Sequence, residues 1–313
     1  MTETRQVTTQ PEDIRAVPVR HYGRWIAGVV ILFLAGIVVR SVVTNANMQW
    51  DVVGDYLFDD RILRGLQNTL ILTVISMLIG VVGGVVLAVM RLSPNPLAAG
   101  AAATYIWLFR GTPLITQLVF WNFLALFYPR LGLGVPFGPE FVSWDTNSLI
   151  SPFTAALLGL GLNEAAYMAE IVRGGILSVD AGQLEAASAL GMSRAKTLRR
   201  IVLPQAMRVI IPPTGNETIA MLKTTSLVVT IGYFELMTSA QQIYAQNYRI
   251  APLLIVAALW YLFMTSILTL VQMQIERRFS RGSSRQVVER TTWASRLLGF
   301  RFGNRGDGGG AAR

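Results

Sequence analysis

The stretch EAASALGMSRAKTLRRIVLP, residues 185–204, is a charged, helix-prone segment that lies between long apolar segments. Its first half is rich in residues that favour a helix, and Gly191 interrupts it. Ser193 is a good N-cap for a second helix, which carries four basic side chains. We therefore expect two short helices with a break between them. An amphipathic helix held by anionic lipid has a similar composition, so composition alone leaves that alternative open.

The composition of the whole chain indicates a membrane protein. Of the 313 residues, 52% are hydrophobic and only 14% are charged, whereas a soluble domain has about 25% charged residues. The chain has no cysteine and a single histidine, His21, so we expect no disulfide, no metal site and no Ser-His-Asp catalysis. The net charge of +9 comes largely from arginines beside apolar runs. That pattern is typical of the cytoplasmic flanks of membrane spans and not of nucleic-acid binding.

Six membrane crossings are predicted. The clearest is 67–90, which has 24 residues and no charge and would be about 36 Å long as a helix, against a hydrocarbon core of about 30 Å. Three glycines give it a small face for close helix contact, Gly80, Gly83 and Gly84. The other crossings are predicted at 25–44, 97–128, 148–171, 205–248 and 251–273.

Two of these crossings should be broken, 97–128 at Gly111 and Pro113, and 205–248 at Pro212 and Pro213. Residues 129–147 are rich in proline and glycine and predict an external loop. With six crossings, both chain ends lie in the cytoplasm. The arginine-rich segments at 15–24, 91, 194–200 and 277–305 then fall on one side, as the positive-inside rule requires.

The spacing within 185–204 is E-A-A, three residues, a glycine, nine residues and then I-x-L-P. This closely resembles the coupling-loop motif of the permeases of bacterial ABC importers. Other stretches are similar to one branch, the polar amino acid uptake permeases: GLQNTLILTVISMLIG (65–80), FRGTPLITQL (109–118), AAYMAEIVRGGILSVDAGQ (165–183), LPQAMRVIIPP (203–213) and LKTTSL (222–227). The resemblance covers about residues 65–275.

The resemblance implies an all-α integral protein of the inner membrane, with a five-span core and one extra N-terminal span. The expected organisation is a cytoplasmic tail at 1–24, the extra transmembrane helix at 25–44, an external connection with a short surface helix at 45–64, the permease domain at 65–275 with its coupling loop at 178–204, and a basic cytoplasmic tail at 276–313. The extra span and the basic tail depart from the usual plan of the family.

The resemblance also implies a transport subunit and not an enzyme. Two permease chains, identical or different, would form the pathway, and a solute-binding protein would deliver a polar amino acid from outside. Glu185, Ala186, Ala187 and Gly191 would dock on cytoplasmic ATPase subunits, with Glu185 reaching the ATPase or capping the helix. The chain has no G-x-x-x-x-G-K-[ST] loop, so ATP is expected on the partner and no cofactor on this chain. The alternatives are an opine or another small zwitterion as cargo, or a non-ABC channel.

Ionisable residues inside a membrane span are costly and are therefore candidates for a substrate site. Glu164 falls near the middle of its predicted span beside Asn163, and Tyr167 follows three residues later on the same helical face as Glu164. A carboxylate beside an amide can hold the ammonium or guanidinium group of a substrate. A structural hydrogen bond to a neighbouring helix is the alternative.

A second group of candidates follows the predicted break near Gly111. Arg110 would grip a substrate carboxylate if its helix crosses the membrane, and would be a cytoplasmic anchor if that helix lies along the surface. Thr112 and Gln117 are polar candidates on the same segment. Two further pairs of charged residues are expected to interact within the protein and not with substrate. Glu170 should pair with Arg173, whereas Glu217 and Lys223 should bond each other or the backbone.

Overall fold

A computed structural model describes residues 22–135 and 140–279. Most of the predicted tails, 1–24 and 276–313, therefore lie outside the described residues. The chain divides into two units, Met1–Ala46 with Val287–Arg313, and Asn47–Gln286. In the first unit, α1 spans Tyr22–Thr44, none of its residues is buried, and the Oγ1 of Thr44 donates to the carbonyl of Arg40 at 2.8 Å. The predicted helix at 25–44 thus begins three residues earlier.

The second unit consists almost wholly of helices. Between the long helices lie short α-helical, 3₁₀ and π segments. In chain order the elements are a 3₁₀ turn Ala46–Met48 at the boundary of the two units, α2 Trp50–Leu57, α3 Asp60–Arg91, α4 Pro96–Gly111, α5 Leu114–Asn122, α6 Leu124–Phe127, β1 Arg130–Gly134, β2 Glu140–Asp145, α7 Thr146–Leu149, α8 Pro152–Leu177, α9 Ala181–Ala189, α10 Arg194–Thr197, a π-helix Leu198–Val202, α11 Leu203–Thr224, a 3₁₀-helix Thr225–Ile231, α12 Leu236–Asn247 and α13 Ile250–Phe279.

Several helices extend beyond their predicted bounds. The external connection was expected to reach 64, but α3 already begins at Asp60, where the side chain of Asp59 accepts a hydrogen bond from the backbone N–H of Arg61 at 2.8 Å. The Arg61 guanidinium also hydrogen-bonds this carboxylate and holds the pKa of Asp59 below its usual range. At the other ends, α8 continues to Leu177 and α13 to Phe279. The charged residues at these ends also favour a helix, so each helix continues beyond the apolar stretch that was predicted as a span.

Within the described part of the chain, four helices are long and apolar enough to cross a membrane: α1, α3, α8 and α13. A fifth crossing is formed if the helical stretch Arg194–Ile231, which includes α11, and α12 at Leu236–Asn247 count as one span; the two are bent by 45°. The predicted crossing at 97–128 is not continuous, because Thr112 is extended and α5 begins after Pro113. The 16 residues of α4 and the 9 of α5 are each too short to span alone. The expected break at Gly111 and Pro113 is confirmed.

The predicted break at Pro212 and Pro213 is wrong, because α11 runs through both prolines. The chain departs from the α-helix only after Thr224, in the 3₁₀-helix that ends at Gly232 with φ 72°. The hydroxyl of Thr214 donates to Ile210 O at 2.8 Å, and Gln272 Nε2 donates to Pro212 O at 3.3 Å. The carbonyl groups that the prolines leave without a helical donor are those of Arg208 and Val209, and α11 continues because the proline φ of about −65° is compatible with an α-helix.

The loop predicted at 129–147 contains a two-stranded antiparallel hairpin, so the chain is not entirely α-helical. Strands β1 and β2 pair from Arg130 with Asp145 to Gly134 with Glu140, and the register shifts after Leu133. The backbone N–H of Thr146 donates to Pro129 O at 3.0 Å and closes the base of the hairpin. Of the five residues between the strands, 136–139 lie outside the described residues.

The close packing of α3 on α8 organises the helical unit. A methyl group at Gly84 would lie 2.9 Å from the backbone nitrogen of Ala169, and one at Gly83 would lie 2.9 Å from the Cβ of Ala165. Ile79 in turn fills the space left by Gly161 on α8. The predicted small face of the second crossing is therefore confirmed, and it sets the height at which α8 presents its polar residues.

Candidate functional site

The coupling segment consists of two short helices joined by a glycine turn, as its sequence predicts. Helix α9 ends in a Schellman motif: Gly191 has φ 68°, its N–H bonds Ser188 O, and the N–H of Met192 bonds Ala187 O. The left-handed φ favours glycine, which explains the residue. Ser193 precedes α10 as predicted, although its side chain makes no capping hydrogen bond.

The exposure of the E-A-A residues shows which of them are free to meet a partner. Glu185 and Ala186 are exposed, whereas Ala187 is buried. The side chain that caps α9 is that of Asp180, which accepts a hydrogen bond from the N–H of Gly182 at 2.8 Å. Glu185 therefore does not cap the helix, and its carboxylate is left at the surface.

A π-helix, Leu198–Val202, joins α10 to α11. Its cause is Pro204, which has no N–H to donate to Arg200 O and whose ring would crowd that carbonyl in a regular α-helix. The N–H of Leu203 donates instead to Leu198 O, five residues back. The I-x-L-P end of the motif thus widens the helix where the coupling segment joins the membrane-spanning part.

Three of the predicted site residues meet at the break between α4 and α5. Asn163 Nδ2 donates to Phe109 O at 2.8 Å and to Gln117 Oε1 at 3.3 Å. Gln117 Nε2 donates to Phe109 O at 2.9 Å and to Thr112 Oγ1 at 2.8 Å. The extended backbone at Thr112 frees the last carbonyl groups of α4, and these amides satisfy them. Asn163, Gln117 and Thr112 therefore form one network that fixes the break against α8.

Arg110 lies beside this network and over an aromatic ring. Its guanidinium carbon is 5.1 Å from the ring centroid of Tyr167, within the range of a cation–π interaction. Arg110 is exposed, and 36% of Tyr167 is exposed. Tyr167 is ten residues from the end of α8 at Leu177, which is about 15 Å along a helix. Arg110 is thus held well inside the height spanned by α8.

Glu164 does not join the other predicted site residues. It is buried, and its Cβ would lie 2.8 Å from a methyl group at Gly80, so it packs against α3. Its Oε1 has no hydrogen-bond partner among the described residues, and neither has the Oγ of Ser76 on the same helix α3. Asn163 and Glu164 are adjacent in sequence, but successive residues of a helix point about 100° apart. The structure consequently gives them different neighbours.

The two pairs that were expected to be internal differ in outcome. Arg173 and Glu170 form an ion pair with 2.7 Å between Nη2 and Oε2, as predicted. Glu217 and Lys223 are six residues apart on α11 and so lie about 120° apart around the helix. No hydrogen bond or ion pair joins them, or links either side chain to the backbone, within 22–135 and 140–279. That expected pair is wrong.

Sequence reasoning missed a buried carboxylate at Glu235. It begins α12 and accepts hydrogen bonds from the N–H of Thr238 at 2.7 Å and from the hydroxyl groups of Tyr261 at 2.8 Å and Thr69 at 3.3 Å. The N–H of Leu236 donates to Thr69 Oγ1 at 3.1 Å. This network ties α3, α12 and α13 together. The only local signal was an acidic residue three positions before Thr238 at a helix start, which is an N-cap pattern.

The helical architecture, the exposed coupling segment and the polar break between α4 and α5 indicate a multi-pass membrane transport subunit. Residues 80–281 match the family described as the binding-protein-dependent transport system inner membrane component. The chain belongs to this family.

Two relatives and one solved structure illustrate the similarity. The arginine transport system permease protein ArgU of Corynebacterium glutamicum is 50% identical over 285 residues, covering 90% of this chain and 88% of that protein. The nopaline transport system permease protein NocM of Agrobacterium fabrum is 41% identical, covering 69% and 86%. A crystal structure of an amino acid ABC transporter with histidines is 36% identical, with a TM-score of 0.59, covering 70% and 94%.

Proposed function

We propose that this chain is the membrane-spanning subunit of an ATP-driven importer for polar amino acids, with arginine as the first cargo to test. The observation that carries the cargo class is the 50% identity to the ArgU arginine permease along 90% of the chain. The geometry agrees with a zwitterionic cargo, because Arg110 of α4 lies over Tyr167 of α8, and Glu164 is one helical turn from Tyr167. A channel of another class has no such support, since the family is one of binding-protein-dependent transport.

Arg110 is the residue we assign to the carboxylate of the cargo. Its guanidinium lies at the C-terminal end of α4, where the helix dipole favours a cation, and Tyr167 holds it from one side. An arginine in this setting can bind a carboxylate through two parallel hydrogen bonds.

We assign the cationic part of the cargo to Glu164. The Oε1 of this buried carboxylate has no hydrogen-bond partner among the described residues, so it has an acceptor to offer. Asn163, Gln117 and Thr112 act differently, because their amides are already engaged with one another and with Phe109 O. Their proposed role is to hold the α4–α5 break at the height of Arg110.

Partners follow from the same proposal. Two copies of this chain, or this chain and a related one, form the pathway, and a solute-binding protein delivers the cargo from outside. Cytoplasmic ATPase subunits bind and hydrolyse ATP, and both termini of this chain lie on their side. The exposed Glu185 and Ala186, presented by the rigid pair of short helices around Gly191, provide the docking surface for the ATPase.

Uptake into vesicles that contain the purified complex, binding protein and enclosed ATP tests this function. We expect ATP-dependent accumulation of labelled arginine. Replacement of Arg110 by Ala should weaken the response to substrate concentration about tenfold to a hundredfold, because a charge-assisted bond is lost. Arg130→Ala on the external hairpin is the matched control and should change little.

Two results would contradict the proposal in different ways. Uptake of nopaline without uptake of arginine or glutamine would favour the alternative in which an opine is carried. Passage of arginine at the same rate with and without ATP would contradict the importer mechanism itself.

A further inference from the structure

An apolar groove lies between α3, α8, α11 and α13, in the half of the unit nearer to α10. Its volume is about 510 Å³, which falls in the range of about 300–1,000 Å³ found for small-molecule sites. The walls are mostly aliphatic side chains, among them Val85, Met207 and Val271. None of the candidate substrate residues lines it. The groove is therefore separate from the site at the α4–α5 break.

The few polar side chains in the groove wall use their donors within the protein. Thr214 Oγ1 donates to Ile210 O at 2.8 Å, and Thr218 Oγ1 donates to Thr214 O at 2.9 Å. Gln272 Nε2 donates to Asn216 Oδ1 at 2.9 Å and to Glu276 Oε1 at 2.8 Å. A polar ligand would find no free donor here, whereas typical small-molecule sites offer a few convergent polar groups. The groove is suited to an apolar chain.

Basic residues continue the walls of the groove past one end. On α13 the lining residues recur every three or four positions, at Leu268, Val271, Gln272 and Ile275, and the same stripe continues to Arg278. On α11 the lining begins with Leu203, and Arg199 and Arg200 lie one turn before it. Two walls of the groove, α11 and α13, thus lead to guanidinium groups at the same end.

The charge at this end is unbalanced within the described part of the chain. Arg199, Arg200 and Arg278 are exposed, and no ion pair to an acidic side chain of the described residues holds any of them. The nearest acidic residue in sequence is Glu276, whose Oε1 already accepts the hydrogen bond from Gln272. Three positive charges against one negative charge favour an anionic group at the mouth of the groove.

We propose that this groove binds an anionic phospholipid, with an acyl chain along the aliphatic walls of the groove and the phosphate held by Arg199, Arg200 and Arg278. An acyl chain matches the aliphatic wall, and the phosphate matches the arginines, which form strong bonds to phosphate oxygens. A second copy of the chain fits less well. Packed face to face about a two-fold axis, it would bring the same arginines of both copies together.

Photolabelling of the purified complex tests this inference. The probes are phosphatidylglycerol and phosphatidylcholine that carry a diazirine in one acyl chain, and labelled peptides are identified by mass spectrometry. We expect phosphatidylglycerol to label groove residues. The double variant Arg200→Gln/Arg278→Gln should lower that labelling about 30-fold, because each basic residue near a membrane surface strengthens anionic lipid binding about fivefold.

Two matched variants separate charge from shape. Arg130→Gln/Arg249→Gln removes the same charge at the other end of the helical unit and should leave labelling unchanged. Met207→Trp fills the groove without altering charge and should lower labelling by phosphatidylglycerol. Thermal unfolding of every variant is compared with that of the parent, so that a loss of labelling is counted only where folding is retained.

Occupation by a second copy has its own signature, since the chain contains no cysteine. A single Val271→Cys substitution would then cross-link two copies with a short bismaleimide, and phosphatidylglycerol would not label the groove. That result would overturn the proposal, as would equal labelling by the two lipids or labelling that is insensitive to the paired arginine substitutions. Labelling that depends on Arg200 and Arg278 and is absent with phosphatidylcholine would support it.

Discussion

Replacing Gly84 by Ala should separate α3 from α8. The added methyl group would lie 2.9 Å from the backbone nitrogen of Ala169, and backbone atoms cannot rotate away as a side-chain end can. Overpacking costs about 1–3 kcal/mol, and we take the upper end for this reason. Alanine regains about 1 kcal/mol over glycine inside a helix. The net expectation is therefore a loss of about 2 kcal/mol.

Gly174→Ala on α8 is the matched control, because nothing lies within 4 Å of the added methyl group. Only the gain in helix propensity remains, about 1 kcal/mol. Each kcal/mol corresponds to roughly 2–4 °C in the unfolding midpoint for a protein of 150–250 residues. Tryptophan fluorescence of the detergent-purified protein, heated at one fixed rate, should show Gly84→Ala lower by about 4–8 °C and Gly174→Ala higher by about 2–4 °C. Shifts of the same sign and size would refute the close contact of α3 with α8.

Three further substitutions test other parts of the chain. Gly191→Pro should abolish stimulation of the ATPase by loaded binding protein, because proline fixes φ near −65° where the chain has 68°; normal stimulation would contradict docking by this turn. Glu164→Gln should weaken the concentration dependence of uptake about tenfold to a hundredfold with little change in the amount of complex; an unchanged dependence would leave Glu164 as a packing residue. Tyr261→Phe should lower stability by about 1–3 kcal/mol, because Glu235 loses a hydrogen bond in a buried site. Tyr248→Phe at an exposed position is its control, and equal melting midpoints of the two variants would argue against that network.

Features that depend on local sequence were predictable. The turn at Gly191 needs a left-handed φ and follows a helix-forming stretch, so a glycine there has few other interpretations. The break between α4 and α5 follows from Pro113, which removes a donor and displaces the preceding residue from helical dihedral angles. Both features arise within a few residues of the chain, and the structure has them where they were expected.

The break in 205–248 was misplaced because it depends on distant partners. Pro212 and Pro213 lie within α11, and Gln272 from α13 donates to the carbonyl of Pro212 and packs against Gly215. Fixed φ values near −65° suit a helix, so two prolines do not by themselves end it. The helix ends at Thr225, whose hydroxyl bonds Leu222 O and begins the 3₁₀ segment. No spacing in the local sequence marks that position.

The candidate site likewise has features that the local sequence predicts and features that depend on distant partners. The residue types of Asn163, Gln117 and Thr112 were recognised, but their common role depends on the carbonyl of Phe109, which the break in α4 exposes. Glu235 was overlooked because its partners lie about 166 residues away on α3 and 26 residues away on α13. A carboxylate that is buried and fully paired leaves no trace in local hydropathy beyond an N-cap pattern.

Arg110 has two possible roles, an anchor at the membrane surface or a group that binds a substrate carboxylate, and the height of its side chain decides between them. At the membrane surface it would be an ordinary anchor, free to reach water. Its guanidinium lies over the ring of Tyr167, about 15 Å along α8 from the end of that helix. An arginine at the centre of a spanning helix costs about 2.5–3.5 kcal/mol. Arg110 is in the last turn of α4, which is too short to span, so its cost is smaller, and a cation–π contact of about 0.5–2 kcal/mol offsets part of it. An exposed arginine at this height along α8 is what the proposed recognition of a cargo carboxylate requires, and uptake by the Arg110→Ala variant tests that role.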